Sequence, residues 1–244
     1  MSPGLQVSDA ILGAATRALQ RASEYLLARR TAQGFWWGDL TADTTLESDF
    51  ILTELWRHTP PQEGAWNPPT RPLIDKAVRS ILARQLPDGG FNIYQQGPSE
   101  ISASIKAYVA LKLAGLPAED ARMTRLRERI LALGGIQSAN SYVKLNLSLF
   151  GLYPREFTPA VPPEMMLLGK LIYEMSSWTR AIVIPLSIVH AMNPMRPVPA
   201  GFTVDELLIP GVPLGFPNDE GFFSWRNFFL LADKFLKFWE KHGS

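Results

Sequence analysis

The strongest constraint on this sequence is a repeat: Ala22 to Trp36 returns 55 residues later as Ala77 to Phe91, and both copies end a helical stretch in a glycine–aromatic turn. Leu27-Ala28-Arg29 falls on Leu82-Ala83-Arg84, Gly34 on Gly89 and Trp36 on Phe91. The second copy carries Gln85, giving Gln-x-x-x-Gly-x-Phe, where the first carries Arg30, giving Arg-x-x-x-Gly-x-Trp. A planar polar side chain at a helix end can stack on the following ring and hydrogen-bond the orphan backbone groups of a neighbouring helix end, which staples adjacent hairpins. A fainter third copy, Ile130-Leu131-Ala132 before Gly134-Gly135, keeps the Ile-Leu-Ala core of Ile81-Leu82-Ala83 and lacks the aromatic. This spacing suits two helices per unit and predicts a solenoid or closed ring of helical hairpins.

Helical periodicity extends beyond the repeat. Leu19, Ala22, Leu26 and Leu27 share one face of a first helix, and Ile74, Ala77, Val78, Ile81, Leu82 and Gln85 do so in the second copy. Residues 45 to 56 and 102 to 113 read as the partner helices, the latter closed by Gly115 and Pro117. Strand-like alternation between turns is hard to find, so the predicted fold is all-α. Two proline-rich stretches, 153–163 and 193–217, are expected to be ordered connectors running across the surface, because proline blocks helix interiors and central strands. Beyond them, Trp225, Phe228, Phe229, Ala232, Phe235, Leu236 and Trp239 recur at i, i+3, i+4 and i+7, with Lys234, Lys237 and Lys241 expected opposite them. Burying each large side chain is worth roughly 1.5–3 kcal/mol, so this stripe is expected to face protein or lipid.

Composition narrows the function. At 244 residues and 46% hydrophobic content the chain supports a packed core, and 24 basic against 23 acidic residues provide no field that selects nucleic acid. The absence of cysteine excludes disulfides and thiolate chemistry, and His58, His190 and His242 are too scattered for a metal site. The N-terminus lacks a signal-peptide pattern, and the longest apolar run, Ala181 to Val189, is interrupted by Pro185 and Ser187 and is too short to span a bilayer. A stripe of Trp and Phe with lysines still suits a helix lying on a membrane surface.

Five further signatures stand in order with the repeats: Gly34-Phe35-Trp36-Trp37-Gly38, Ala107-Tyr108-Val109-Ala110-Leu111-Lys112, Leu149-Phe150-Gly151-Leu152-Tyr153-Pro154, Pro162-Pro163-Glu164 and Ser177-Trp178-Thr179-Arg180. Together they resemble squalene-hopene cyclases, from about residue 17 to the C-terminus. The resemblance implies two α/α barrels, one inserted into the other. Residues 1–33 are then the first helix of the outer, catalytic barrel, 34–200 the inserted barrel, and 201–244 a proline-rich connector with an amphipathic returning helix. It implies an isomerase of the intramolecular-transferase type that protonates a terminal alkene of squalene or a similar polyisoprenoid, with no metal and no other cofactor. The family's acid is the central Asp of an Asp-x-Asp-Asp motif in the later barrel, and neither that motif nor the Asp-Asp-x-x-Asp of diphosphate-dependent cyclases occurs here. The isolated chain is therefore expected to be inactive. A C-terminal catalytic barrel, a membrane surface on its cytoplasmic side and, in full-length members, a homodimer are the implied partners. The chain would be soluble and cytoplasmic if it stands alone.

Residue by residue, the resemblance makes Trp178 a wall of the cyclisation cavity and Met175 and Val183 parts of the entrance constriction. Asp49 falls in a water-bearing polar network at the far end of the cavity, where the family usually has Glu. Lys106 stands there in place of Glu, Asn140 in place of Arg and Asn146 in place of Trp, which implies a rearranged network. The segment from Met166 to Tyr173 is also a few residues shorter than in typical members. Plain structural alternatives stand beside these roles. Trp178 also fits core packing, Trp36 and Trp37 are explained by the turn, and Asp49 reads equally as a solvated residue with Glu47 in its place. Lys106, on an apolar helix, is expected either to reach Asp49, another carboxylate or water, or to snorkel to the surface. Asn146-Leu147-Ser148 is a coincidental glycosylation sequon. Two other functions remain open: a non-catalytic isoprenoid-binding barrel, or a scaffold that docks a separate catalytic barrel through the Trp225–Trp239 face. A protein prenyltransferase subunit is disfavoured for want of a zinc-binding cysteine.

Overall fold

The computed structural model describes residues 9–37, 42–167, 169–215 and 224–242. Gly38, residues 216–223 and the side chains of Trp225, Trp239 and Lys241, all used in the sequence reading, lie outside the described residues. Among the described residues every regular element is helical: α1 (Asp9–Ala28), α2 (Thr45–Arg57), α3 (Arg71–Ala83), α4 (Ile101–Leu113), α5 (Ala121–Ala132), α6 (Ser141–Ser148), α7 (Lys170–Glu174), α8 (Ser177–Met192) and α9 (Trp225–His242). Short 3-10 turns cover Ile136–Ser138, Arg155–Phe157, Pro163–Leu167 and Asp205–Leu207. The chain divides into two compact units, Met1–Thr41 and Ala42–Ser244.

In the first unit, α1 buries no residue; Leu19, Ala22, Leu26 and Leu27, the face that periodicity assigns to a core, are all exposed. The turn after it has the same geometry as its repeat. Thr31 N–H donates to Phe35 O at 2.8 Å and Gly34 N–H to Thr31 O at 3.0 Å; offset by 55 residues, Leu86 donates to Gly90 O at 3.0 Å and Gly89 to Leu86 O at 2.9 Å. Both turns need a left-handed glycine, with φ +92° at Gly34 and +88° at Gly89.

The surroundings of the two copies differ. Phe91 is fully buried, whereas Trp36 is half exposed and its indole N–H donates to Leu26 O of its own helix. Gln85 Nε2 donates to Gly89 O at 2.8 Å and, across to α5, to Arg122 O at 3.0 Å. The amide thus ties the turn to the neighbouring helix as the sequence suggests, but through a first-turn carbonyl with a lone pair to spare rather than an orphan N–H. Gly89 also sits against α5 so closely that a Cβ would lie 2.7 Å from Arg125 O.

The second unit is built around α4, which packs against α2, α3, α5 and α6. Enclosure on all sides explains why α4 has no polar stripe: its residues from Ser102 to Leu113 are buried except Lys106 and Lys112. Side-chain caps hold the helix starts. Glu100 accepts from Ala103 N–H, Asp120 from Arg122 N–H, Asn140 from Val143 N–H and Ser176 from Thr179 N–H. With α2, α4 and α6 as successive neighbours and α3 and α5 as the intervening helices, the unit is an α/α arrangement of hairpins.

The proline-rich connectors do more than cross the surface. Tyr153, Thr158, Val204 and Leu207 are buried, and Glu206 accepts from Tyr108 Oη at 2.9 Å and forms an ion pair with Lys112. Gln137, just after the third repeat copy, pairs its side-chain amide with both the N–H and the carbonyl of Ile209. The last helix folds back on the first connector. Asp233 accepts from Ala160 N–H at 2.6 Å, and Lys237 donates to Thr158 O at 2.6 Å and to Glu156 O at 2.9 Å. Lys237 thus faces inward rather than opposite the aromatic stripe, while Phe228, Phe229, Leu231, Phe235 and Phe238 are exposed.

Candidate functional site

On α2, Asp49, Thr53 and Trp56 stand at i, i+4 and i+7 and so share one face. Opposite them α6 and the turn after it present Asn146, Leu149 and Phe150 at i, i+3 and i+4. These residues, with Leu52, line a cleft of about 400 Å3. Trp56 and Phe150 meet edge to face with ring centroids 5.9 Å apart, and the Arg196 guanidinium lies 5.1 Å from the Trp56 ring. The cleft is therefore apolar and aromatic at one end and polar at the other.

At the polar end, Lys106 Nζ reaches across from α4 and donates to Asp49 Oδ2 at 2.8 Å. The lysine side chain is 14% exposed and the aspartate 40%, so the pair sits at the rim of the core. Asp49 Oδ1 is buried without a hydrogen-bond partner, and the Asn146 amide has none among the described residues. Glu47 turns away to Arg84 and Ser80, which leaves Asp49 as the carboxylate at this place. Asn140 is elsewhere. Its carboxamide oxygen is committed to Val143 N–H at 3.0 Å, its own N–H donates to Ser102 Oγ at 3.1 Å, and it does not line the cleft.

The remaining sequence-derived positions lie on α8 and just before it. Ser176 caps the helix, and Trp178 follows with 76% of its surface exposed; Met175, ahead of the cap, and Val183, five residues beyond Trp178, are partly covered. Trp178 is thus not core filler. Trp178, Ile184, Ile188 and Met192 continue an exposed apolar face along the helix. Pro185 lacks the N–H that Ala181 O would accept within this helix. At the far end, Arg155 donates to Pro194 O at 2.9 Å and to Val189 O at 3.5 Å, fixing the α8 terminus to the preceding connector. None of Met175, Trp178 and Val183 lines the cleft of Asp49.

Other buried ionisable groups serve the scaffold. Hydrogen bonding from Thr70 holds the Glu54 carboxyl below the usual range, outweighing its burial. Burial pushes the Tyr108 phenol up, and the Glu206 carboxylate that accepts its proton adds to this. Glu206 itself is raised by burial but held low by the hydrogen bonds from Lys112 and Tyr108. Lys144, lowered by burial, donates to Gln137 O at 2.8 Å and lies 5.8 Å from the Tyr153 ring. Among the described residues no group of three or more His, Asp or Glu is placed to hold a metal, and no helix is long and apolar enough to cross a membrane.

Sequence reading missed Leu52, Thr53, Trp56, Leu149 and Phe150. The signal was present in the helical spacing of Thr53 and Trp56 from Asp49, and of Leu149 and Phe150 from Asn146.

Comparison with known proteins gives the family. A family model described as the squalene-hopene cyclase N-terminal domain matches residues 19–244. The squalene–hopene cyclase of Alicyclobacillus acidocaldarius is 38% identical over 201 residues, covering 81% of this chain and 30% of that protein. The corresponding enzyme of Zymomonas mobilis is 32% identical over 232 residues, covering 92% of this chain and 34% of its own length. A dammaradiene synthase of Dryopteris crassirhizoma is 27% identical over 236 residues, 93% of this chain and 32% of its own. The chain spans about a third of the length of these curated relatives.

Proposed function

The chain belongs to the squalene-hopene cyclase family, and from that premise we propose that it forms one wall and one polar end of a cavity in which squalene or a similar polyisoprenoid is cyclised by protonation. The reading rests above all on Trp178, a large aromatic left 76% exposed on the apolar face of α8. A tryptophan face stabilises a passing carbocation by cation–π attraction, worth about 2 kcal/mol or more where water is excluded. Met175 and Val183 border the path by which the chain enters, and Asp49, Lys106 and Asn146 make up the polar end. Asn140 has a capping role instead.

The acid comes from another part of the protein, since no Asp-x-Asp-Asp is present in this sequence. That part is a second barrel, which closes the cavity over the exposed apolar face of α8. The exposed phenylalanines of α9, with Arg226 and Lys234 also at the surface, suit contact with one leaflet on the cytoplasmic side of a membrane.

Two experiments test this. The purified 244-residue chain, incubated with squalene in detergent, is expected to form no polycyclic product; hopene made by it would refute the placement of the acid elsewhere. Grafted in place of the matching third of the Alicyclobacillus acidocaldarius enzyme, residues 19–244 are expected to support formation of a polycyclic triterpene. A folded chimera that returns only linear squalene contradicts the proposal.

A further inference from the structure

The cleft of about 400 Å3 between α2 and α6 is lined by four apolar residues, Leu52, Trp56, Leu149 and Phe150, and by Asp49, Asn146 and Thr53; Lys106 donates to Asp49, and the Thr53 hydroxyl is spent on Asp49 O. The polar end has unmet hydrogen-bonding capacity in both senses. Asp49 Oδ2, accepting from Lys106, has a further lone pair; the Asn146 amide, without a partner among the described residues, has two N–H donors and an acceptor oxygen. A hydrocarbon filling the cleft would strip water from these groups and return nothing. A hydroxyl group both donates and accepts, and so replaces the water it displaces.

We propose that this cleft selects an isoprenoid bearing a hydroxyl over the corresponding hydrocarbon, with Lys106 as the residue that sets the selectivity. By donating to Asp49 Oδ2 at 2.8 Å, Lys106 holds the acceptor in one position; without it the carboxylate is free to turn, and an incoming hydroxyl must order its own partner. The hydroxyl donates to Asp49 Oδ2 and accepts from Asn146 Nδ2, while the hydrocarbon part packs on Trp56, Phe150, Leu52 and Leu149. This deepens the proposed function and rests on it only for biological meaning: the hydroxylated end of a cyclised or linear isoprenoid is the part held here.

The test is a titration of the full 244-residue chain with geraniol and with 2,6-dimethylocta-2,6-diene, the same skeleton without the hydroxyl, followed by NMR of the asparagine side-chain amides and the tryptophan indoles. Geraniol is expected to bind about tenfold more tightly or better, a modest fraction of the discrimination that fully enclosed hydroxyl sites reach, and to shift Asn146 and Trp56. Lys106→Met is expected to reduce the preference to about threefold or less, and Asn146→Leu to weaken geraniol without weakening the hydrocarbon. If a variant fails to fold, the wild-type ratio decides by itself. Equal affinities, no binding of either molecule, or shifts confined to residues outside the cleft overturn the inference. These outcomes leave the cyclase reading untouched, because that reading is tested by the products of the chimera and not by this titration.

Discussion

The Lys106 ammonium lies 2.8 Å from Asp49 Oδ2 and joins α4 to α2 across 57 positions of sequence. Both residues sit where the resemblance to the family implies a polar network. The contact makes them one physical unit: a lysine on a largely enclosed helix is tolerated because an aspartate meets it.

That coupling is measurable. Because Asp49 is 40% exposed, the pair is partly screened and its net worth is about 0.5–1 kcal/mol. A double-mutant cycle of Lys106→Met and Asp49→Leu, read by urea unfolding, is expected to return a coupling energy of that size. Strictly additive effects would mean that the contact contributes nothing.

The two copies of the repeat carry different weight in this chain. Gln85 joins the Gly89 turn to α5 through two hydrogen bonds, whereas Arg30 is exposed beside a half-exposed Trp36. Gln85→Met is expected to cost about 1 kcal/mol, and Arg30→Met under about 0.5 kcal/mol, in the same denaturation assay. Equal costs would place the device inside each copy instead of at the junction with the next helix.

Glycine is required at position 89 for two reasons and at position 115 for one. Both have left-handed φ, +88° and +99°, but a Cβ at 89 would lie 2.7 Å from Arg125 O while at 115 it would meet open space. Gly89→Ala is expected to destabilise by about 2 kcal/mol or more, against about 1 kcal/mol for Gly115→Ala. Thermal or chemical denaturation of the two variants decides, and the reverse order contradicts the close approach of turn and helix.

Acid is expected to weaken the fold partly through Glu54. Thr70 Oγ1 donates to it at 2.5 Å and Arg57 at 3.0 Å, and its folded pKa lies below the usual value. A carboxyl whose pKa is depressed by folding contributes stability that is complete above the unfolded value of about 4.3 and is lost as pH falls through the folded one. Glu206 acts in the same direction. Thr70→Val is expected to lower stability at pH 6 and to reduce the slope of stability against pH between about 5 and 3; an unchanged slope would remove Glu54 from the account.

Much of this fold is legible in the sequence because helix periodicity and glycine turns are local signals. Residues 45–56 and 102–113 read directly as the helices now seen at Thr45–Arg57 and Ile101–Leu113. The repeat also marks the two turns at Gly34 and Gly89, whose left-handed φ the structure adds. What the sequence did not disclose were events between distant segments. Lys106 had several eligible partners, and only the packing of α4 on α2 selects Asp49. Asn140 looked like a network residue, but a residue just before a helix is claimed first by the backbone N–H groups it caps. The stripe on α9 divided for a similar reason, since Lys237 found carbonyls at 156 and 158 that no periodicity reveals.

The central claim is that the exposed face of α8 lines the space occupied by the substrate. Photolabelling tests it most directly: a diazirine-bearing squalene analogue, irradiated with the chimera that carries residues 19–244 and mapped by mass spectrometry. Adducts at Met175, Trp178 or Val183, suppressed by excess squalene, are the expected result. Adducts that avoid α8 altogether while squalene is still cyclised would contradict the account.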